Sequence, residues 1–303
     1  MSKPKFTANL LHPRHWVSWL SLLMLAIVVQ IPYRWQVVVG RKLGKLIMLF
    51  AKRHRSIAER NIAACFPDMS SADRQQLLKK NFELYGLGLF EIGMAWLAPQ
   101  RRMQGLFEIK GKQHWDKLRG KGLMVIGMHF TSVDMLNAAI NPYFNISILY
   151  QPHENPVYHY VQACRRARHN PNITVIANNN IRNMVRALRS GKWMWYVPDQ
   201  DNGLKSEFVP WFGILAATVT ATPRIATLSK VPLVGVSFRH KLDFSGYEIE
   251  LYPVFDNVPS GDNHADLLRI NQFIEECIRR HPEEYFWAHA RFKRRPPGEG
   301  PFY

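Results

Sequence analysis

From Phe107 onward, short apolar runs alternate with stretches of helical periodicity, and this alternation limits the possible folds more than any other feature. Phe107–Lys110 predicts a short strand. Gly122–Met128 (GLMVIGM) predicts a buried strand leading into a helix from about Ser132. Ile146–Tyr150 and Ile173–Ile176 read as strands, and Asn183–Arg189 as a helix stopped by Gly191. Trp193–Val197 (WMWYV) is another strand, ending at Pro198. Leu233–Phe238 and Tyr247–Tyr252 add two more, and a helix from about Ala265 to Arg280 ends before Pro282. Strands alternating with helices after a helical N-terminal region predict an α/β domain. Ligands of open α/β sheets bind beyond the carboxyl ends of the strands. That rule directs attention to His129 and Asp199, since each closely follows a strand.

Residues 36–64 read as one helix, with Val39, Leu43, Leu46, Ile47 and Phe50 at helical spacing among basic residues and Pro67 beyond its end. Ser70-x-x-Asp73 predicts a capping-box start, with Asp in place of the usual Glu, for a helix running to about Leu97. Leu77, Leu78, Phe82, Tyr85, Leu89, Ile92 and Trp96 form one stripe along it. Gly86, Gly88 and Gly93 make its second half thin-walled, which suits core packing or, as the alternative, a groove for an acyl chain. Gly40-x3-Gly44 lies outside the hydrophobic run and carries no expectation about helix pairing.

Trp16–Tyr33 is an uncharged run of 18 residues, the lower limit for a bilayer-spanning helix. No small-residue cleavage site follows it, and Trp16, Trp19, Tyr33 and Trp35 flank it as interfacial aromatics do. Few basic residues precede it and many follow, which places the bulk of the chain on the cytoplasmic side. The expectation is a membrane anchor over residues 1–35 and a separate domain over 36–303, with a buried or interfacial helix as the alternative to a spanning one. Forty Lys and Arg against 23 Asp and Glu give a net charge of +17, which calls for an anionic partner. Cys65, Cys164 and Cys277 are odd in number and widely spaced, so neither a disulfide framework nor a zinc cluster is indicated.

His129-Phe-Thr-Ser-Val-Asp134 brings together a base and a carboxylate. Histidine can take the proton of an alcohol near neutral pH, and an adjacent carboxylate fixes its tautomer. On one ideal helix the two would not share a face. The pairing requires His129 at a strand end and Asp134 in the first turn of the next helix. A strand-terminal polar residue followed by a helix-start Asp accounts for the same spacing without chemistry. Pro198-Asp199-Gln200-Asp201-Asn202-Gly203 could bind a metal, orient a base or simply turn the chain. Arg165, Arg166 and Arg168, with Arg182, Arg186 and Arg189 downstream, suit phosphate or carboxylate recognition or a solvated helix face. The run Arg291–Arg295 is similar and is surrounded by aromatics, but no nucleic-acid-binding motif accompanies it.

Taken in order, these pieces resemble one family along nearly the whole chain, the late acyltransferases of bacterial lipid A biosynthesis. The matching stretches are LLHPRHWVSWL (10–20), RNIAACFPDMS (60–70), EIGMAW (91–96), VIGMHFTSVD (125–134), RRAR (165–168), YVPDQDNG (196–203), FVPWFG (208–213) and PEEYFWAHARFKRRPPGE (282–299). The N-terminal stretches look more like the lauroyl-type than the myristoyl-type branch. The resemblance implies an α/β fold like that of glycerolipid acyltransferases, with N-terminal membrane-associated helices followed by a mixed central sheet flanked by helices. It implies transfer of a fatty acyl chain from an acyl carrier protein thioester to a hydroxyl of a Kdo2-lipid IVA-type lipid A precursor. His129 would be the general base, Asp134 its orienting partner, and Arg166 a ligand for phosphate or the thioester. Asp199 and Asp201 would support the site. No metal or organic cofactor is implied, and no nucleic acid. The setting would be the cytoplasmic side of the bacterial inner membrane, against its anionic lipid. Alternatives are the myristoyl-type second acylation, or another lipid acceptor. Departures from the family pattern are Gln151, Asn202, Ala290 and the shorter carboxylate at Asp134.

Overall fold

The computed structural model describes residues 6–150, 153–166, 168, 170, 175–177 and 181–303. Its strands are Phe107–Lys110 (β1), Leu123–Ile126 (β2), Ile146–Tyr150 (β3), Val175–Ala177 (β4), Trp193–Tyr196 (β5), Ser206–Trp211 (β6), Ile214–Val219 (β7), Leu233–His240 (β8) and Tyr247–Val254 (β9). Seven of them form a mixed sheet in the order β1-β9-β8-β2-β5-β3-β4, parallel at every pairing except β8–β9. β6 and β7 make a separate antiparallel hairpin. Every residue of β2 is buried, as an all-apolar strand between parallel neighbours should be.

The strand period of two sorts side chains into two cores. Met124, Ile126, Met194 and Leu233 face one, and Leu123, Val125, Trp193, Trp195 and Val234 face the other. The first core is covered by Lys52–Cys65 (α3), the helices Ile181–Arg189 (α8), Ala221–Ser229 (α9) and Asn263–Arg280 (α10), and the hairpin. The second is covered by Trp16–Val28 (α1), Lys112–Asp116 (α5), Val133–Ile140 (α6) and Pro156–Arg166 (α7). The helix Ser71–Leu97 (α4) belongs to both: Leu77, Leu78 and Phe82 enter the first core, while Met94, Ala95 and Trp96 enter the second. Its start is capped as expected, the Ser70 hydroxyl accepting the Asp73 amide at 3.1 Å.

The α/β class and the strands expected from the sequence are present. α7, α9 and the β6–β7 hairpin were not among the expected elements, and Ile173 lies outside the described residues. The single helix expected over 36–64 is two, Tyr33–Phe50 (α2) and α3, because Ala51 leaves the helical region at φ −82°, ψ 54°.

The spanning helix expected over Trp16–Tyr33 is not formed. α1 has 13 residues, and Pro32 begins α2 as its N-cap. At about 1.5 Å per residue α1 is far shorter than a hydrocarbon core of about 30 Å. Among the described residues, no helix is long and apolar enough to cross a membrane. Instead α1 and α2 expose large apolar side chains, among them Trp16, Val17, Leu20, Leu23, Met24 and Ile27 on α1 and Trp35, Val38, Leu46, Leu49 and Phe50 on α2.

Gly40 and Gly44 do pair helices, contrary to the reading that they carry no such information. A Cβ on Gly44 would lie 2.1 Å from the Phe82 carbonyl oxygen, and one on Gly86 would lie 2.2 Å from the Gly40 oxygen. The helices meet backbone to backbone because neither has a side chain there. Gly93 admits Leu25 and Val29 in the same way, so the thin wall of α4 is filled by protein rather than left as a groove. Gly86→Leu is therefore expected to destabilise the fold by at least about 1–3 kcal/mol, the usual cost of overpacking. Chemical denaturation should show it as a lower midpoint, whereas substitution of Gly300, which has open space around it and no left-handed backbone, should leave the midpoint near wild type.

Candidate active site

Ile126 of β2 and Tyr196 of β5 are register partners on adjacent parallel strands. His129 follows Ile126 by the same number of residues as Asp199 follows Tyr196, so both emerge together at the carboxyl end of the sheet. Asp199 Oδ2 accepts the His129 backbone amide at 2.9 Å, and its Oδ1 lies 2.7 Å from His129 Nδ1. A carboxylate there keeps the proton on Nδ1 and leaves Nε2 with a free lone pair. The Asp199 side chain is 0% exposed and that of His129 is 34% exposed. Burial pushes the Asp199 carboxyl up, but the charge and hydrogen bonds of His129 outweigh it and hold the pKa below the usual value.

Asp134 is not the partner of His129. From the first turn of α6 it meets the end of α7, where Arg166 Nε donates to Oδ1 at 2.7 Å and Nη2 to Oδ2 at 3.0 Å. Burial pulls the Arg166 pKa down, and the Asp134 carboxylate more than reverses this. The two expected site residues thus form a second charge pair beside the first, linked to it through the turn 129–134. Asp201 has an anchoring role. It accepts the Gly203 amide at 3.0 Å and Arg294 Nε at 2.8 Å. Its own amide donates to His289 Nε2 at 3.2 Å. Burial pushes His289 down to about 4, so it is neutral at physiological pH, as an acceptor must be.

The remaining arginine clusters are largely used within the protein. Arg291 donates to the Ala217 carbonyl at 2.6 Å and Thr218 Oγ1 at 3.0 Å, and Arg295 donates to the Leu215 carbonyl at 2.9 Å, tying the C-terminal run to β7. Arg168 donates to the Ala98 carbonyl and Arg189 to that of Leu228. Gln151 lies outside the described residues.

The C-terminal segment holds the histidine turn by its backbone. Phe286 N–H donates to the His129 carbonyl, and Thr131 N–H to that of Glu284, both at 2.9 Å. Two buried carboxamides fix this segment in turn. Asn81 donates to the carbonyls of Glu283 and Tyr285, both at 2.7 Å, and Asn61 to those of Trp287 at 2.7 Å and His289 at 2.8 Å. Neither asparagine stood out in the sequence. Their signal is a lone polar residue on an otherwise buried helix face.

A buried charge cluster lies behind the turn. His240 Nε2 is 2.7 Å from Glu91 Oε1, and its Nδ1 is 2.9 Å from Glu284 Oε1. Glu91 also accepts hydroxyl protons from Ser132 and Tyr247. Gly88, one turn earlier on α4, leaves room for Thr131, whose carbonyl oxygen would lie 3.0 Å from a Cβ placed there. Burial opposes charge on His240, but the two carboxylates prevail and push it up to about 10.

The model of the bacterial lipid A biosynthesis acyltransferases matches residues 3–294. The chain belongs to that family. It is 37% identical over 299 residues to the lipid A biosynthesis lauroyltransferase of Escherichia coli (strain K12), covering 97% of each chain. It is 36% identical over 303 residues to the palmitoleoyltransferase of the same organism, covering 99% of this chain and 98% of the relative. With the myristoyltransferase the identity is 26% over 302 residues, 98% of this chain and 93% of the relative. Among solved structures, the 1-acyl-sn-glycerophosphate acyltransferase of Thermotoga maritima aligns with a TM-score of 0.39 at 13% identity, over 81% of this chain and 97% of that one. By its family match and relatives, the protein is an acyltransferase of lipid A biosynthesis.

In this acyltransferase His240 is raised from 6.5 in the unfolded chain to about 10. Its stabilising contribution is complete below about pH 6.5 and is lost as pH rises toward 10. Thermal melts are expected to show stability declining across that window in the wild type, with a flatter profile in His240→Gln, which starts from a lower melting temperature.

Proposed function

We propose that the protein transfers a fatty acyl chain from an acyl carrier protein thioester to a hydroxyl on a hydroxyacyl chain of a Kdo2-lipid IVA-type lipid A precursor. The observation that carries this reading is the His129–Asp199 pair, with a buried carboxylate on Nδ1 and Nε2 free. His129 Nε2 takes the proton of the acceptor hydroxyl as its oxygen attacks the thioester carbonyl. Asp199 stabilises the imidazolium that forms. Collapse of the tetrahedral intermediate breaks the C–S bond, and the imidazolium returns its proton to the departing thiolate. Asp134 acts through Arg166, holding a guanidinium beside the reacting centre to bind phosphate or orient the thioester.

The higher identities to the lauroyl- and palmitoleoyltransferases than to the myristoyltransferase favour the first of the two late acylations. The exposed apolar faces of α1 and α2, rich in Trp and Leu, suit helices lying in the plane of a membrane surface. The +17 charge suits the anionic cytoplasmic face of the inner membrane and an acidic carrier protein.

An assay with acyl carrier protein thioesters of several chain lengths and a tetra-acylated Kdo-lipid acceptor, read by mass spectrometry, tests the reading. His129→Ala is expected to lose about 10²–10⁴-fold in turnover while still sedimenting with membranes. Asp199→Asn should lose about 10²–10⁴-fold with its fold intact. Full activity in either variant would remove the proposed mechanism. Asp134→Asn and Arg166→Met are expected to be strongly non-additive, the double variant being little worse than either single one. Additive losses would show that Asp134 works independently of Arg166.

A further inference from the structure

A cavity of about 360 Å³ opens between α3 and the C-terminal segment, lined by Arg53, Ser56, Ile57, Arg60, Ala290, Lys293 and Tyr303. Its volume falls in the range of roughly 300–1,000 Å³ typical of ligand sites. Three cations reach it from two separate segments, and among the described residues no Asp or Glu side chain lines it. Most other arginines near the site are committed to carboxylates or carbonyls. Arg60 makes a single long bond to the Phe302 carbonyl at 3.5 Å, and Arg53 and Lys293 are exposed. The Tyr303 hydroxyl bonds to Asn61 at the back of the cavity, keeping that wall fixed. A second cavity, lined by Arg41, Lys80 and Lys241, differs, because Glu83, Glu283 and Glu284 line it too.

The position of the basic cavity specifies its ligand further. Arg53 follows directly on the apolar end of α2, where Leu49 and Phe50 are 62% and 78% exposed. Ala290 and Lys293 continue the segment of His289, which accepts the Asp201 amide in the turn that carries Asp199. The cavity therefore lies between an apolar surface suited to acyl chains and the segment that anchors the catalytic turn. The cavity suits an anionic group of sugar-phosphate size attached to a lipid.

We propose that this cavity binds a phosphorylated headgroup of the acceptor lipid, an assignment that rests on the acyl-transfer function proposed above. Arg53 and Arg60 would hold the phosphate by charge-assisted hydrogen bonds and Lys293 would close over it.

The test compares a tetra-acylated, Kdo-bearing glucosamine-disaccharide lipid that keeps its phosphates with the same lipid after phosphatase treatment. The full-length wild type and Arg53→Ala/Lys293→Ala are both assayed. Both side chains are exposed, and circular dichroism would verify that the double variant folds. The wild type is expected to prefer the phosphorylated lipid. The double variant should raise KM for it about tenfold or more, keep kcat within about twofold, and bring the preference close to one. A preference that survives in the double variant, or is missing from the wild type, overturns the proposal. Inorganic phosphate is added in a second arm. If it inhibits the wild type but not the variant while the two lipids are used equally, the cavity is a free-anion site and the headgroup assignment fails. Co-sedimentation with phosphatidylcholine vesicles carrying either lipid reads the same preference without turnover. Wild type that binds the phosphorylated lipid selectively yet transfers no acyl chain would refute the acyl-transfer reading and leave the cavity assignment supported.

Discussion

The buried contact of His240 with Glu91 and Glu284 is the constraint around which the molecule is assembled. It joins α4, β8 and the C-terminal segment at one point, behind the turn that carries His129. Charges removed from water need partners on every side, and here the hydroxyls of Ser132 and Tyr247 and the His240 backbone amide supply them. Loss of one member would leave an uncompensated buried charge, a change that typically costs about 3–5 kcal/mol. The Ser132 hydroxyl on Glu91 ties the turn 131–132 to α4 and, through His240, to β8.

The fold was largely legible because its strands are short, apolar and bounded by Gly and Pro, and because the boundaries of α4 are written in Ser70 and Leu97. The site was legible in part. His129 and Asp199 could be placed at strand ends from the apolar runs before them. Their partnership could not, since it depends on β2 and β5 being neighbours with Ile126 opposite Tyr196. Local pattern favoured Asp134 because it is close in sequence. The structure gives that carboxylate to Arg166, a residue that only the helix–helix contact of α6 with α7 brings near. The cluster around His240 joins residues far apart in the chain, and no short window contains it.

The N-terminal region shows how the same composition can support different structures. Eighteen uncharged residues look like a span when counted. Pro32 divides them, and what remains packs one face of α1 on α4 and leaves the other exposed. Gly40 and Gly44 had the opposite fate: their spacing meant little in sequence terms until Gly86 was found facing them. In the second case the deciding information lies on α4, whose buried residues enter both cores.

The backbone bonds between residues 284–286 and the histidine turn carry a consequence for biosynthesis. The turn leaves the ribosome long before the segment that braces it. Until Glu284 and Phe286 have been made, the His129 carbonyl and the Thr131 amide lack their partners, and His240 lacks one of its carboxylates. A nascent or truncated chain would thus carry its N-terminal helices while His129, the base proposed above, still lacks its brace.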